Sequence, residues 1–118
     1  MAAQTQFPRP NGPIANWSST QAARWIKAQV KAENVVFRYH AEHERGVDYN
    51  VSPDEAREAI LKGKSARWEP RENPKTREPT MNMTFTQALR THTIGVVTSI
   101  SESDPNVVVV TLWRHVVS

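Results

Sequence analysis

Two apolar runs near the C-terminus constrain the fold more than any other part of the sequence. They are "HTIGVVTSI" (92–100) and "NVVVVTLWRHV" (106–116), separated by the polar stretch "SESDP". β-branched runs of this length around a short polar loop predict two antiparallel strands joined as a hairpin. In the second run apolar residues occupy both phases of the alternation, which indicates a central strand covered on one side by helices.

Two segments upstream have the pattern of helices. In "WSSTQAARWIKAQVKAEN", Ser18 or Ser19 can cap a helix with an apolar stripe, and Gln21 stands at the capping-box position. In "SPDEAREAILKG", Ser52 is the expected N-cap and Gly63 the expected left-handed C-terminal stop. Between them, "NVVFRYH" is either a short strand or an extended entry into a helical turn.

The segment between the second helix and the hairpin is less regular. "SARWEP" is expected to be a strand that ends at Pro70, and "RENPKTREPTMN" a loop or long hairpin connection. "MTFTQALRTH" fits an edge strand or a helical turn. The order of elements predicts an α+β fold, with two N-terminal helices packed on one face of a three- to four-stranded antiparallel sheet.

Length and composition limit the classes of protein that the chain can belong to. Its 118 residues suit one core, and we expect residues 1–16 to be a flexible tail or linker before a single α+β domain at 17–118. The chain has no cysteine, which excludes disulfides and a thiol nucleophile. No apolar run approaches the roughly 20 residues of a membrane span, and the N-terminus lacks the pattern of a signal peptide.

Basic residues are concentrated in one part of the chain. Residues 62–90 have a net charge of +4, against +3 for the whole chain, while 46–61 have −3. Such a band predicts a surface that binds a polyanion, with a solvated basic surface as the alternative. The expected substrate-binding residues are Lys62, Lys64, Arg67 and Arg71, with the hydroxyl of Thr111.

Two of the four histidines, His40 and His43, lie in "FRYHAEHERG". If this stretch forms a turn of helix, the two share one face, but a zinc site would need a third ligand from Glu44, His92 or His115. Acid–base catalysis requires fewer groups than a zinc site: a histidine to transfer protons and arginines to bind a phosphate. We therefore expect no metal and no other cofactor.

The ends of the hairpin offer a second group of candidates. Arg90 and His92 stand where the first strand begins, and Arg114 and His115 where the second ends. Antiparallel pairing makes these two ends neighbours, so the four side chains are expected at one edge of the sheet. The alternative is that charged ends only protect exposed strands from pairing with other chains.

The stretch "YHAEHERGVDYNVSPDEAREAILKG", followed by "VVVVTLWRHV", resembles the small metal-independent toxin ribonucleases grouped with barnase, EndoU, colicin-type tRNases and RelE. The resemblance covers roughly residues 36–116. It implies His40 of the "HA" pair as the catalytic acid or base, with Arg45 near the phosphate. His43 and the proline-rich segment 70–82 depart from the pattern of the group.

Together, the residues and the resemblance predict a toxin-type endoribonuclease that acts on RNA by acid–base catalysis, with tRNA as the substrate that the resemblance implies. The expected catalytic residues are His40, His43, Arg45, Arg90, His92 and Arg114. An acidic immunity or antitoxin protein would be its partner, and the cytoplasm its site of action, with secretion or delivery as the end of a larger toxin as the expected routes. The alternative is a non-catalytic module: an immunity-like or phage accessory protein, or an RNA binder that stacks bases on Trp17 or Trp68.

Overall fold

The computed structural model describes residues 9–116, in which helical segments pack against a single sheet. The helical segments are a 3-10 turn (Ile14–Asn16), α1 (Ser19–Lys31), a π-helix (His40–Arg45), α2 (Gly46–Tyr49) and α3 (Pro53–Lys62). In the described range no helix has the length and apolar character needed to cross a membrane.

The sheet has five strands. They are β1 (Val35–Phe37), β2 (Lys64–Glu72), β3 (Pro79–Ala88), β4 (His92–Ile100) and β5 (Val107–Val116), in the spatial order β1-β5-β4-β3-β2. β2 to β5 are antiparallel neighbours, whereas β1 pairs with β5 in parallel. The α+β class is confirmed. The predicted purely antiparallel sheet of three or four strands with two helices is wrong in detail, because the three-residue β1 pairs with the outer edge of β5.

Both long helices begin as predicted. In α1 and α3 the serine at the N-cap, Ser18 or Ser52, accepts a hydrogen bond at 3.1 Å from the backbone N–H three residues on, and the side chain there bonds back. Each capping box satisfies two N–H groups that the first helical turn leaves unpaired. The core side of each helix is formed by Ala22, Trp25, Ile26 and Val30 in α1 and by Ala56, Ala59 and Ile60 in α3.

Gly63 ends α3 as predicted, but it does not have the predicted left-handed conformation. Its φ of −83° and ψ of 175° are extended rather than left-handed. Glycine is needed there because a Cβ would lie 2.1 Å from the carbonyl oxygen of Ala59 and 2.6 Å from that of Thr86. The position is the point at which the chain leaves α3 against the backbone of β3.

The core lies between the helices and one face of the sheet. Val96 of β4 pairs with Phe85 of β3 and with Leu112 of β5, and all three side chains are buried on the helix face. Thr98 on the same face donates its hydroxyl hydrogen to the carbonyl of Met83 at 2.8 Å, so this buried polar group is satisfied. β5 is an internal strand, as predicted, because it pairs with β4 on one side and with β1 on the other.

The segment 70–82 is a tight hairpin rather than a long loop. Pro70 lies inside β2 and does not end it, because β2 is an edge strand on which proline costs no ladder hydrogen bond. The tip is closed by a 2.9 Å hydrogen bond from Asn73 N to Glu78 O, and β3 begins at Pro79. "MTFTQALRTH" is mainly strand, but the predicted edge position is wrong, because β3 lies between β2 and β4. Ser103 of the β4–β5 loop donates a 2.7 Å hydrogen bond to the Glu78 carboxylate and ties the tip to that loop.

The predicted tail at 1–16 lies partly outside the described residues, which begin at Arg9. From there on the segment packs on the domain: Ile14 is buried, and the Arg9 guanidinium bonds the carbonyls of Ser101 and Asp104 at 3.1 and 2.9 Å. The same guanidinium lies 4.8 Å from the ring centroid of Trp25.

Candidate functional site

A groove runs along the sheet face that the long helices leave open. It consists of two adjoining cavities of about 500 and 110 Å³, both with Arg38 and Asn73 in their walls. The remaining lining residues of the larger cavity are Tyr39, His40, Pro74, Lys75 and Val110. Those of the smaller are Glu78, Thr80, Ser99, Ile100, Ser101, Ser103, Asp104 and Val108. The groove thus has a basic end beside the π-helix and, beside the β4–β5 loop, an end with several hydroxyls and the carboxylates of Glu78 and Asp104.

His40 lies at the basic end, on the first turn of the π-helix. Its Nδ1 is 3.2 Å from Oε1 of Glu44, and its Nε2 is 3.2 Å from Nε of Arg45. Because Arg45 Nε carries a hydrogen and cannot accept one, Nε2 must be the acceptor in this arrangement. Nδ1 then carries the ring hydrogen and donates a hydrogen bond to Glu44, so that the imidazole is oriented by a carboxylate.

His43 has different partners, although it was expected on the same helix face as His40. Its ring stacks on that of Tyr39, with centroids 4.6 Å apart and planes inclined by 29°. Its Nε2 is 3.9 Å from the carboxylate of Glu42. The wide π-turn changes the angular spacing along the segment, and His43 is absent from the walls of the groove.

Two cations in the groove have no counter-ion. Among residues 9–116 neither the guanidinium of Arg38 nor the ammonium of Lys75 forms a hydrogen bond or an ion pair. Arg38 follows β1, and Lys75 projects from the β2–β3 hairpin tip, so two separate parts of the chain supply positive charge to one cavity. Such an arrangement suits an anionic ligand.

The residues at the hairpin ends lie away from the groove, although the two strand ends meet. The register pairs Ile94 with Arg114 and His92 with Val116, which confirms that the two strand ends are neighbours. Ser99 of the groove lies seven positions beyond His92, about 23 Å along a strand at roughly 3.3 Å per residue. Arg90, His92 and Arg114 are absent from the walls of both cavities.

Arg114 lies on the helix face of the sheet, because it pairs with Ile94, whose side chain is buried in the core. Its Nε and the Nε2 of His92 are buried and have no hydrogen-bond partner within the described range. His115 lies on the open face opposite Thr93, with its ring 6.4 Å from that of Trp113. The structure therefore does not bring these residues together with His40 in the groove.

The basic band expected to bind substrate is dispersed. Lys62 pairs with Glu58 at 3.8 Å, and Arg71 forms an ion pair with Glu69. Arg67, with a φ of 58°, occupies a bulge in the edge strand β2. Lys64 opens that strand, and Thr111 pairs with Val97 on the open face beside the groove residue Val110. None of the five predicted residues lines the groove.

Sequence reasoning missed Arg38, Tyr39 and Asn73, and it included Lys75 only as part of the basic band 62–90. Arg38 and Tyr39 directly precede the "HA" pair and could have been added to that cluster from the sequence. Lys75 could not, because its approach to the π-helix depends on how the hairpin tip folds over the sheet. Of the two tryptophans considered for base stacking, Trp17 is buried, and Trp68 is half-buried with its indole N–H bonded at 2.9 Å to the carbonyl of Trp17.

Within residues 9–116 no three His, Asp or Glu side chains are grouped closely enough to hold a metal ion. Comparison of the chain with family models, with curated proteins and with solved structures found no match.

Proposed function

We propose that the protein is a metal-independent endoribonuclease in which His40 acts as the general base. The observation that carries this proposal is the position of His40: its Nδ1 is hydrogen-bonded to Glu44, and the residue lines a cavity whose walls also contain two unpaired cations, Arg38 and Lys75. A carboxylate that holds Nδ1–H leaves Nε2 as the proton acceptor. Arg45 would then bind the phosphate.

In this mechanism the RNA 2′-hydroxyl takes the place at His40 Nε2 that the Arg45 N–H now occupies. Nε2 removes the hydroxyl proton, the 2′ oxygen bonds to phosphorus, and the bond from phosphorus to the 5′ oxygen breaks. The leaving 5′ oxygen takes a proton from water in the open groove. The products are a 2′,3′-cyclic phosphate and a 5′-hydroxyl end. Arg38, Arg45 and Lys75 stabilise the charge that develops on the phosphoryl oxygens.

The toxin-type assignment and tRNA as substrate rest on the resemblance at "YHAEHERG" and remain part of this proposal. A cell that produces such an enzyme needs an inhibitor, and unpaired cations in the groove favour an acidic one. We expect the inhibitor to cover Arg38 and Lys75, because their charge has no internal partner in the described part of the chain.

The test is incubation of the purified protein with total tRNA and ribosomal RNA in EDTA. We expect discrete fragments ending in 2′,3′-cyclic phosphate from the wild type, and a loss of at least about 100-fold in rate for His40→Ala, the usual range for a general base. His115→Ala is the matched control, since His115 is exposed on the open face and lies outside the groove. Arg90→Ala is expected to retain activity for the same reason.

Intact RNA with the wild type would overturn the nuclease proposal. If the protein nevertheless shifted RNA in a salt-dependent manner without shortening it, the non-catalytic RNA-binding module would replace it. Equal loss of activity in His40→Ala and His115→Ala would show that His40 is not the general base.

A further inference from the structure

An exposed aromatic ring stands at the basic end of the groove. Tyr39 is 71% exposed although tyrosine is usually at least half-buried in folded proteins, and its ring lines the larger cavity. One ring face is supported by the stacked ring of His43. Within residues 9–116 no second aromatic ring contacts Tyr39, and most of its surface is open to solvent.

The surroundings of Tyr39 fit a nucleotide. Arg38 and His40 are its chain neighbours, and Lys75 lines the same cavity of about 500 Å³, within the size range of small-ligand sites. A phosphate held between Arg38 and Lys75 would leave the attached base beside an aromatic ring. Aromatic side chains next to backbone-binding cations are the usual means by which proteins hold single-stranded nucleic acid.

We propose that Tyr39, supported by His43, is a stacking subsite for an unpaired base next to the phosphate that the groove binds. The subsite rests on the proposed function in that RNA is taken as the ligand. It defines the substrate class as single-stranded RNA or a loop, because bases inside an A-form duplex are already stacked and cannot reach a side chain. His43, expected from the sequence to be catalytic, becomes a positioning residue that holds the Tyr39 ring.

Binding is measured in the His40→Ala background, so that RNA stays intact. The probe is a fluorescent single-stranded RNA of about ten nucleotides, within the known site sizes for such proteins, alongside the duplex of the same sequence. Adding Tyr39→Ala is expected to weaken single-strand binding about ten-fold and to leave duplex binding unchanged. Tyr39→Phe keeps the ring and is expected to bind like the parent. Val47→Ala is the matched control, because Val47 is 72% exposed on the next helix.

A second readout reports stacking itself: 2-aminopurine placed in the single strand should lose fluorescence on binding to the parent and keep it with Tyr39→Ala. Unchanged affinity in Tyr39→Ala, or an equal loss for single strand and duplex, would overturn the subsite. Failure of the two proposals can be told apart. Wild-type protein that stacks the base through Tyr39 but leaves RNA intact overturns only the nuclease, whereas cleavage with no effect of Tyr39→Ala on binding overturns only the subsite.

Discussion

Arg45 and His40 are five residues apart, and the Nε of Arg45 lies 3.2 Å from the Nε2 of His40. In an α-helix the side chains that meet are three or four residues apart. Here the segment is a π-helix, in which the backbone N–H of Gly46 bonds the carbonyl of Ala41, and the wider turn lets His40 contact both Glu44 and Arg45. The helix type thus determines which ring nitrogen can accept a proton.

The first prediction concerns the ring proton of His40. Because Arg45 can only donate, we expect the neutral ring to carry its proton on Nδ1 and to have an unprotonated Nε2. Long-range ¹H–¹⁵N spectra distinguish the two tautomers. In Arg45→Ala the Nε2 acceptor loses its donor, and the proportion of the Nδ1–H form should fall. A wild-type ring protonated on Nε2 would contradict the arrangement, and His115 in the same spectra serves as an internal reference.

The second prediction concerns the charge of the groove. Removing one cation that binds a phosphate should make the slope of log K against log salt concentration shallower by about 0.7 for a single strand. We expect Arg38→Ala and Lys75→Ala each to change the slope by roughly this amount, measured by RNA binding between low and moderate salt. Lys62→Ala is the control, because Lys62 is already paired with Glu58 and lies outside the groove. An equal change in all three variants would mean that only net charge matters.

The parts of the fold that local chemistry encodes were predictable. The capping boxes at Ser18 and Ser52 and the β4–β5 hairpin are specified by residues close together in sequence, and each is present. The parallel pairing of β1 was not predictable. Three residues carry too little periodicity, and the partner, Val107, lies about 70 positions away in the chain.

Only the part of the candidate site that lies within one short segment of the chain was predictable from the sequence. His40 and Arg45 contact each other within one helical segment, and the sequence placed both in a single cluster. Arg114 was expected beside the phosphate because the hairpin brings its strand end near Arg90. The alternation of side chains along β5 instead places it on the helix face of the sheet, where it pairs with Ile94. Lys75 reaches the groove only because the hairpin tip lies against the β4–β5 loop, an approach with no signal in the sequence.

The third prediction concerns the close approach at Gly63. A Cβ there would overlap two backbone carbonyls, which cannot move as a flexible side chain could. We expect Gly63→Ala to lower the free energy of unfolding in urea by about 3 kcal/mol or more, the upper range for overpacking. Gly46→Ala is the comparison: its Cβ would lie 3.0 Å from the carbonyl oxygen of Val51, and helix propensity offsets part of the cost. Equal losses of stability would show that helix ends in general, and not this close approach, determine the effect.

The last prediction concerns Arg9, which the sequence assigned to a tail. Its guanidinium bonds the carbonyls of Ser101 and Asp104 and lies over Trp25. Because the side chain keeps about a third of its exposure, we expect Arg9→Ala to lower the free energy of unfolding by only about 1–2 kcal/mol. Lys31→Ala, at an exposed helix end, should change it by less than about 0.5 kcal/mol.

Arg9→Lys separates charge from geometry. A lysine keeps the positive charge near Glu102 but has no planar fork to bond two carbonyls while it stacks on an indole. We therefore expect it to recover less than half of the stability that Arg9→Ala removes in the same urea titration. If lysine recovered all of it, the contribution of Arg9 would be that of a surface charge, and the segment that begins at Arg9 would be held to the domain mainly by the burial of Ile14.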